Sequence, residues 1–342
     1  MIELIRGKYK TISIVGMAKN SGKTVALNYL IEEAIENDVP LGITSIGRDG
    51  EILDIVTETE KPPIFVEEDT FIATASGILD LGDANIEILK ATDYMTPLGQ
   101  IIIGKVRQGG YVQIAGPQRL SEIRKVADTM LSLGAEFVII DGALDRFSQA
   151  APAVSEATIL STGAVISRDI NIVIEKTLHR VKTLSLPKIE GEEIRESIRQ
   201  IMERGQIATI DLENKIEIIP LKTALNSGHI IGDHIKDKVK YLVIPGSLVK
   251  STLEDLIKST RRYGDIEIII GDGSKVFIEA RDWVRFVRQG IKIRVLDEIK
   301  LIGITVNPYA PAGYYFDPRD FLAKMKSYIK HIPVMDLVLG GE

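Results

Sequence analysis

The chain has 342 residues, of which 45% are hydrophobic and 26% are charged, and its formal net charge is −6. This composition is typical of a globular protein with an ample core, and the length favours two domains of roughly 150–200 residues each. The sequence contains no cysteine, which excludes disulfides, thiolate metal sites and cysteine nucleophiles. The negative net charge argues against nucleic-acid binding, because neutralising phosphates needs a concentrated basic surface.

Two features of the sequence bear on its location. Residues 1–10 are charged and lack an apolar core long enough for a signal peptide. The apolar runs are also shorter than the ~18 residues expected of a membrane span. We therefore expect a cytoplasmic protein that does not bind a membrane.

The first strong pattern is TISIVGMAKNSGKTVALNYL at residues 11–30, an apolar run, a glycine-rich turn and a helical pattern. Residues 11–15 alternate as a buried strand would, and apolar residues recur with helical spacing after the turn. This order is typical of a phosphate-binding loop (P-loop), whose backbone N–H groups surround phosphate oxygens at a helix N-terminus. The predicted nucleotide-binding residues are Gly16, Asn20, Ser21, Gly22, Lys23 and Thr24.

Individual roles follow from the chemistry of this motif. Lys23 is predicted to contact the outer phosphates and to be catalytic, and the Thr24 hydroxyl is predicted to ligate Mg²⁺. ATP is the expected nucleotide, because the nearest match to a guanine signature, residues 214–217, reads Asn-Lys-Ile-Glu and lacks the final Asp. The alternative is that Gly-Lys-Thr falls by chance between a strand and a helix.

Strand and helix patterns alternate through the first part of the chain. The predicted strands are residues 41–46, 64–66, 101–106, 110–115, 136–140 and 157–160, and the predicted helices after the glycine-rich turn include 120–133 and 167–183. This alternation predicts a mostly parallel sheet with helices on both faces, which binds ligands at the carboxyl ends of its strands. Residues 92–99 and 115–117 are predicted to be loops near that crevice.

An apolar strand pattern at residues 137–140 leads directly to Asp141. In P-loop proteins a carboxylate at this place binds Mg²⁺ opposite the threonine of the loop. Asp141 is therefore predicted to be a metal ligand and a catalytic residue. A simple Asp-Gly turn is the alternative.

The helical pattern breaks near residues 184–188, and a charged helix is predicted at 190–203. Further strands are predicted at 207–211, 216–220, 239–244, 266–270, 291–296 and 301–306, with helices at 250–262 and 280–289. We predict an α/β protein with a P-loop nucleotide-binding domain at residues 1–184 and a second α/β domain at 185–342. The aromatic residues after the last strand, within 307–316, form either a ligand or partner surface or a proline-stiffened cap on the core.

Gly16 and Gly22 are separated by five residues, one more than in the standard loop. The longer loop resembles that of the dethiobiotin synthetase and cobyrinic acid diamide synthase group of P-loop NTPases, and Asp141-Gly142-Ala143 resembles their Glu-Gly-Ala stretch with a shorter acid. The resemblance implies a second acid on the magnesium side, Asp49 or Asp54, and a phosphate or carboxylate contact from Arg48. A polar surface turn is the alternative for this segment.

The segments VGMAKNSGKT, TSIGRDGE, IIDGALDR, LSTGA and ITVNPYAP together resemble the small subunits of lysine 5,6-aminomutase reactivases. This resemblance implies a nucleotide-binding accessory protein that acts with a companion ATPase subunit. Such a protein reactivates a cobalamin-dependent aminomutase of lysine fermentation by ATP-dependent cofactor exchange, and we expect it to be an oligomer.

Two other functions remain open at this point. One is an ATP-dependent ligase of dethiobiotin synthetase type that acts on a small carboxylate without a partner. The other is a regulatory nucleotide-binding module. The sequence lacks a cysteine for a glutaminase module, which counts against the cobyrinic acid diamide synthase subgroup. Whether the protein hydrolyses ATP by itself is not decided by these patterns.

Overall fold

The structure is a computed structural model that describes residues 1–47, 64–142, 152 and 154–338. It divides into two compact units, each with its own sheet and core. The first unit contains Met1–Thr177 and Lys300–Glu342, and the second contains Leu178–Ile299. Among the described residues, every helix is too short or too polar to cross a bilayer.

The described elements of the first part of the chain are strands β1 (Thr11–Gly16), β2 (Leu41–Ser45), β3 (Ile64–Val66), β4 (Phe71–Ala75), β5 (Asn85–Thr96), β6 (Gly99–Gln108), β7 (Gly110–Val112), β8 (Phe137–Asp141) and β9 (Ala157–Gly163), with helices α1 (Lys23–Glu36), α2 (Leu120–Ser132) and α3 (Ile170–Leu184). The second unit then adds α4 (Glu192–Glu203), β10 (Ile207–Asp211), β11 (Ile216–Ile219), α5 (Gly228–Asp233), β12 (Val239–Val243), β13 (Leu248–Val249), α6 (Lys250–Ser259), β14 (Glu267–Ile270), β15 (Val276–Phe277), α7 (Ala280–Arg288) and β16 (Lys292–Val295). The chain returns to the first unit with β17 (Leu301–Asn307), α8 (Pro318–Tyr328) and β18 (Val334–Met335).

A nine-stranded sheet forms the centre of the first unit, in the order β18-β17-β9-β1-β8-β2-β4-β6-β5. The strands from β18 to β4 run parallel, and β6 and β5 add an antiparallel hairpin at one edge. All six residues of β1 are buried, as expected of a parallel strand that is covered on both faces. The expected α/β fold with a large, mostly parallel sheet is therefore confirmed.

Helices cover both faces of this sheet. Helix α1 buries Ala26, Leu27, Leu30, Ile31 and Ala34, which share one core with Ile12 and Ile14 of β1. Helix α2 buries a stripe of apolar residues in a separate core with strands β4 and β6. The i, i+3 and i+4 spacing of these buried residues is the reason that both segments form helices at the sheet surface.

The second unit contains a five-stranded sheet in the order β11-β10-β12-β14-β16. Strands β12, β14 and β16 are parallel, whereas β10 is antiparallel to both of its neighbours. Helix α4 packs with one core of this unit through Ile198 and Ile201, and α6 and α7 pack with another. The unit is again α/β, as its sequence pattern indicates.

The structure differs from the sequence predictions in several places, and the buried strand β4 inside the main sheet is not among the predicted strands. Residues 92–96 belong to strand β5 and Gly99 begins β6, so the predicted loop at 92–99 is a hairpin at the sheet edge. The division between the units falls within α3, and residues 300–342 belong to the first unit rather than the second. The reason is that β17 pairs with β9 along its length, from Leu301 opposite Thr158 to Asn307 opposite Gly163.

Candidate functional site

The turn between β1 and α1 consists of residues 16–22 and is called the glycine loop below. Its start is tied to the neighbouring strand by a hydrogen bond from Met17 N to the Ser161 carbonyl oxygen at 2.9 Å. Two of its residues have left-handed backbones, Asn20 with φ of 63° and Gly22 with φ of 100°. Glycine adopts this conformation at no steric cost, so Gly22 allows the chain to turn directly into α1.

The loop folds closely over its first residue. A Cβ atom on Gly16 would lie 2.5 Å from Ser21 Oγ and 2.8 Å from Lys23 Cγ. Ser21 is only 1% exposed, and its Oγ has no hydrogen-bond partner within the described ranges of the chain. A buried hydroxyl without a partner calls for a ligand or a water. The Ser21 hydroxyl is therefore a buried donor that such a ligand or water would satisfy.

Helix α1 supplies the electrostatics of this end of the loop. It has 14 residues, its N-cap is Gly22, and its first turn contains no acidic residue. The helix dipole places partial positive charge at this terminus, and the Lys23 ammonium adds a full charge beside it. Anion binding is the favoured chemistry of such a terminus.

Lys23 joins the glycine loop to the end of β8. Its Nζ donates a hydrogen bond to the carbonyl oxygen of Gly142, the residue directly after Asp141. Asp141 itself lies in register with Ile14 of β1, and Gly142 N donates to the Ile14 carbonyl oxygen at 3.3 Å. Lys23, the first residue of α1, therefore contacts the strand end that carries Asp141.

The carboxyl end of β2 also carries a closely packed turn. Gly47 N donates to the Pro117 carbonyl oxygen at 2.9 Å, and Gly116 N donates to Ser45 Oγ at 3.1 Å. A Cβ on Gly116 would lie 1.8 Å from the Ser45 carbonyl oxygen, so only glycine permits this approach. The predicted loop at residues 115–117 thus lies, like the glycine loop, at the carboxyl ends of the parallel strands.

Asn307, at the end of β17, is a neighbour of the glycine loop that the sequence analysis does not single out. Its Nδ2 donates to the Asn20 carbonyl oxygen at 3.2 Å, and its Oδ1 accepts from Tyr309 N at 3.1 Å. A Cβ on Gly22 would lie 3.1 Å from Asn307 Cβ. The signal available in the sequence is a polar residue at the end of an apolar strand, where parallel sheets bind ligands.

The predicted site residues fall into two groups. The residues of the loop and of the first turn of α1 lie together, and Asp141 lies at the neighbouring strand end: Gly16, Asn20, Ser21, Gly22, Lys23, Thr24 and Asp141. Arg48, Asp49 and Asp54 lie outside the described residues, so their roles remain predictions.

Polar clusters in the second unit do not form a comparable site. His234 Nδ1 lies 2.9 Å from Glu217 Oε1, and Lys236 donates to both oxygens of the same carboxylate. These hydrogen bonds, first from His234 and then from Lys236, lower the pKa of Glu217 below its ordinary value. Within the described ranges, no group of three or more His, Asp or Glu side chains is arranged to hold a metal ion.

No protein-family model matches the chain, and comparisons with curated proteins and with solved structures give no match. What the site binds is therefore inferred from its own residues. Those residues are a compact loop with a buried hydroxyl, a lysine, the start of a helix and a carboxylate on the adjacent strand.

Proposed function

We propose that the first unit is a P-loop NTPase domain that binds a magnesium nucleoside triphosphate, with ATP as the expected nucleotide. The observation that carries this proposal is the hydrogen bond from Lys23 Nζ to the carbonyl oxygen of Gly142. It brings the lysine that directly follows the glycine loop to the strand end that carries Asp141. Phosphate binding requires the first of these groups and magnesium binding the second.

Each residue of the site has a role in this proposal. The backbone of the glycine loop and the N-terminus of α1 bind phosphate oxygens, and Lys23 neutralises the outer phosphates. The Thr24 hydroxyl and the Asp141 carboxylate hold Mg²⁺, which neutralises further charge on the phosphates. In this proposal the buried Ser21 Oγ, which has no partner within the described residues, donates to the bound anion.

We further propose that nucleotide binding serves a partner enzyme. In this proposal the protein acts with a companion ATPase subunit and reactivates a cobalamin-dependent aminomutase of the lysine 5,6-aminomutase type by ATP-dependent cofactor exchange. The five sequence segments quoted above support this role by resemblance. The site residues in this proposal are a lysine, two hydroxyls and one carboxylate, and they include no histidine to serve as a general base.

Phosphate release, measured with and without the aminomutase and its companion ATPase, tests this function. We expect the isolated protein to bind Mg-ATP and to hydrolyse it slowly. Adding it with the companion ATPase to an inactivated aminomutase should restore activity only when ATP is present. Rapid ATP turnover with a small carboxylate and no partner would overturn the accessory role in favour of the ligase. Failure to bind Mg-ATP would overturn the proposal as a whole.

A further inference from the structure

The segment after Asn307, residues 308–316, folds back on itself and is called the aromatic hairpin below. Tyr309 and Tyr315 pair through an antiparallel β-bridge, and Ala310 N donates to the Tyr314 carbonyl oxygen at 3.0 Å. Phe316 N donates to the Pro308 carbonyl oxygen at 2.9 Å and closes the base of the turn. These bonds and the two prolines give the segment a fixed shape.

Two of the four aromatic side chains of the hairpin hold it against the first unit. The Tyr314 hydroxyl donates to the Ala164 carbonyl oxygen at 2.8 Å, and the Arg168 guanidinium lies 5.1 Å from the centre of the Tyr314 ring. Phe316 packs edge-to-face on Phe321 with ring centres 5.3 Å apart. Both of these rings are half-buried.

The other two rings face solvent. Tyr309 is 48% exposed and Tyr315 is 69% exposed, and their ring centres lie 6.1 Å apart with an angle of 35° between the planes. Such a pair presents a broad aromatic surface on a rigid support. Holding two large apolar rings in water contributes nothing to the core, so a ligand is the natural reason for their display.

This surface is directly connected to the glycine loop. Asn307 donates to the Asn20 carbonyl oxygen with one end of its amide and accepts from Tyr309 N with the other. The sheet order also separates the two sides of the site, because β8 with Asp141 lies on one side of β1 and β9 and β17 lie on the other. A nucleotide with its phosphates in the loop and its metal toward β8 has the β17 side available for its base.

We propose that Tyr309 and Tyr315 form the stacking platform for the base of the bound nucleotide, an inference that rests on the proposed function. Aromatic rings stack on the face of any nucleobase and do not recognise the hydrogen-bonding groups at its edge. The platform therefore favours the larger purines over pyrimidines and does not separate adenine from guanine. Asn307 is a positioning residue that holds the aromatic hairpin beside the glycine loop.

The test compares Mg-ATP with Mg-tripolyphosphate, which carries the phosphates and no base, by isothermal titration calorimetry. The variant Tyr309→Ala/Tyr315→Ala should bind Mg-ATP about ten- to a hundredfold more weakly and bind Mg-tripolyphosphate as the wild type does. Tyr309→Phe/Tyr315→Phe keeps both rings and should keep the ATP affinity. Tyr328→Ala is the matched control, because Tyr328 is 63% exposed on α8 of the same unit.

The outcomes separate this inference from the proposed function. Unchanged ATP affinity in the double alanine variant overturns the platform, and so does an equal loss for ATP and tripolyphosphate, which would place the effect in the glycine loop. If the wild type binds neither ligand, the proposed function fails and the platform with it. Etheno-ATP gives a second readout, since stacking on the wild-type rings should quench its fluorescence and the double alanine variant should leave it bright.

Discussion

The glycine loop and residues 271–275, called the second loop here, both follow a parallel strand inside a sheet. The glycine loop leads from β1 into the 14-residue helix α1 through Gly22, which has no side chain to cap the helix. The second loop leads from β14 into a short 3₁₀ turn, and Asp272 is 93% buried within it. There, Asp272 Oδ1 accepts a hydrogen bond from Ser274 N at 2.8 Å.

The two loops differ in whether they contain a carboxylate of their own. The second loop provides its own carboxylate for a backbone N–H group, so a phosphate there would meet a like charge. The glycine loop carries no carboxylate among residues 16–22 and adds the ammonium of Lys23. A glycine-containing turn at a strand end is therefore not enough for an anion site, and the charge that the turn brings with it decides the ligand.

The sharpest test of this comparison is to remove the lysine at the end of each loop, Lys23 after Gly22 and Lys275 after Ser274. Lys23→Ala deletes a charge-assisted contact of roughly 1.5–3 kcal/mol, which corresponds to one to two decades in nucleotide affinity. Lys275→Ala, in the second loop, should leave the affinity unchanged. Titration of a fluorescent ATP analogue measures both. Equal effects of the two substitutions would contradict the assignment of the glycine loop.

A second prediction concerns the acids near the two loops. Asp141→Asn keeps the size of the side chain but removes its charge, so the Mg²⁺ dependence of nucleotide binding should weaken. The expected loss is about tenfold in the Mg²⁺ concentration needed for half-maximal ATP binding, because one charged metal ligand becomes neutral. Asp272→Asn is the matched variant and should leave that concentration where it is. If Asp141→Asn also leaves it unchanged, Asp141 is a turn residue.

The carboxylate of the second loop should matter for folding instead. Asp272→Ala removes the acceptor for Ser274 N, and we expect the second unit to lose about 1 kcal/mol of its free energy of unfolding. The chain has one tryptophan, Trp283, which lies in the second unit. Urea unfolding followed by its fluorescence therefore reports on that unit. Asp272→Asn retains an acceptor oxygen and should cost less than the alanine variant.

The smallest expected effect is a pH dependence of the second unit. His179 Nε2 lies 2.7 Å from the Ile278 carbonyl oxygen, and burial lowers the pKa of His179 below 6.5. The unfolded chain therefore binds this proton more readily, and the second unit should lose stability as the pH falls through 6.5. Urea unfolding at several pH values measures how the free energy of unfolding changes with pH, and His179→Gln should reduce this change. If the variant shows the same pH dependence of unfolding as the wild type, another group causes the effect.

The sequence predicts the features of this molecule that depend on neighbouring residues. The strand, turn and helix around Gly16 and Lys23 lie within one short segment. A continuous apolar run predicts the strand β8 that ends at Asp141. Strand β5 was not predicted, because most of its residues are exposed at a sheet edge and show no clean alternation. The place of β17 was also not predicted, because its pairing with β9 joins residues far apart in the chain and leaves no local trace. Asn307 lies in the segment 307–316 that the sequence predicts as a ligand or partner surface or a cap, but its contact with the glycine loop joins distant residues and was not predicted.

The return of the chain to the first unit sets an order of events during translation. Strands β1, β8 and β9 are synthesised before the second unit, whereas β17 and Asn307 follow it. At about 5–20 residues per second, the ribosome spends on the order of ten seconds on the intervening segment. Throughout that interval strand β9 lacks its β17 neighbour, and its unpaired backbone groups on that side are open to wrong partners. The glycine loop acquires its contact from Asn307 only when the second unit has already left the ribosome.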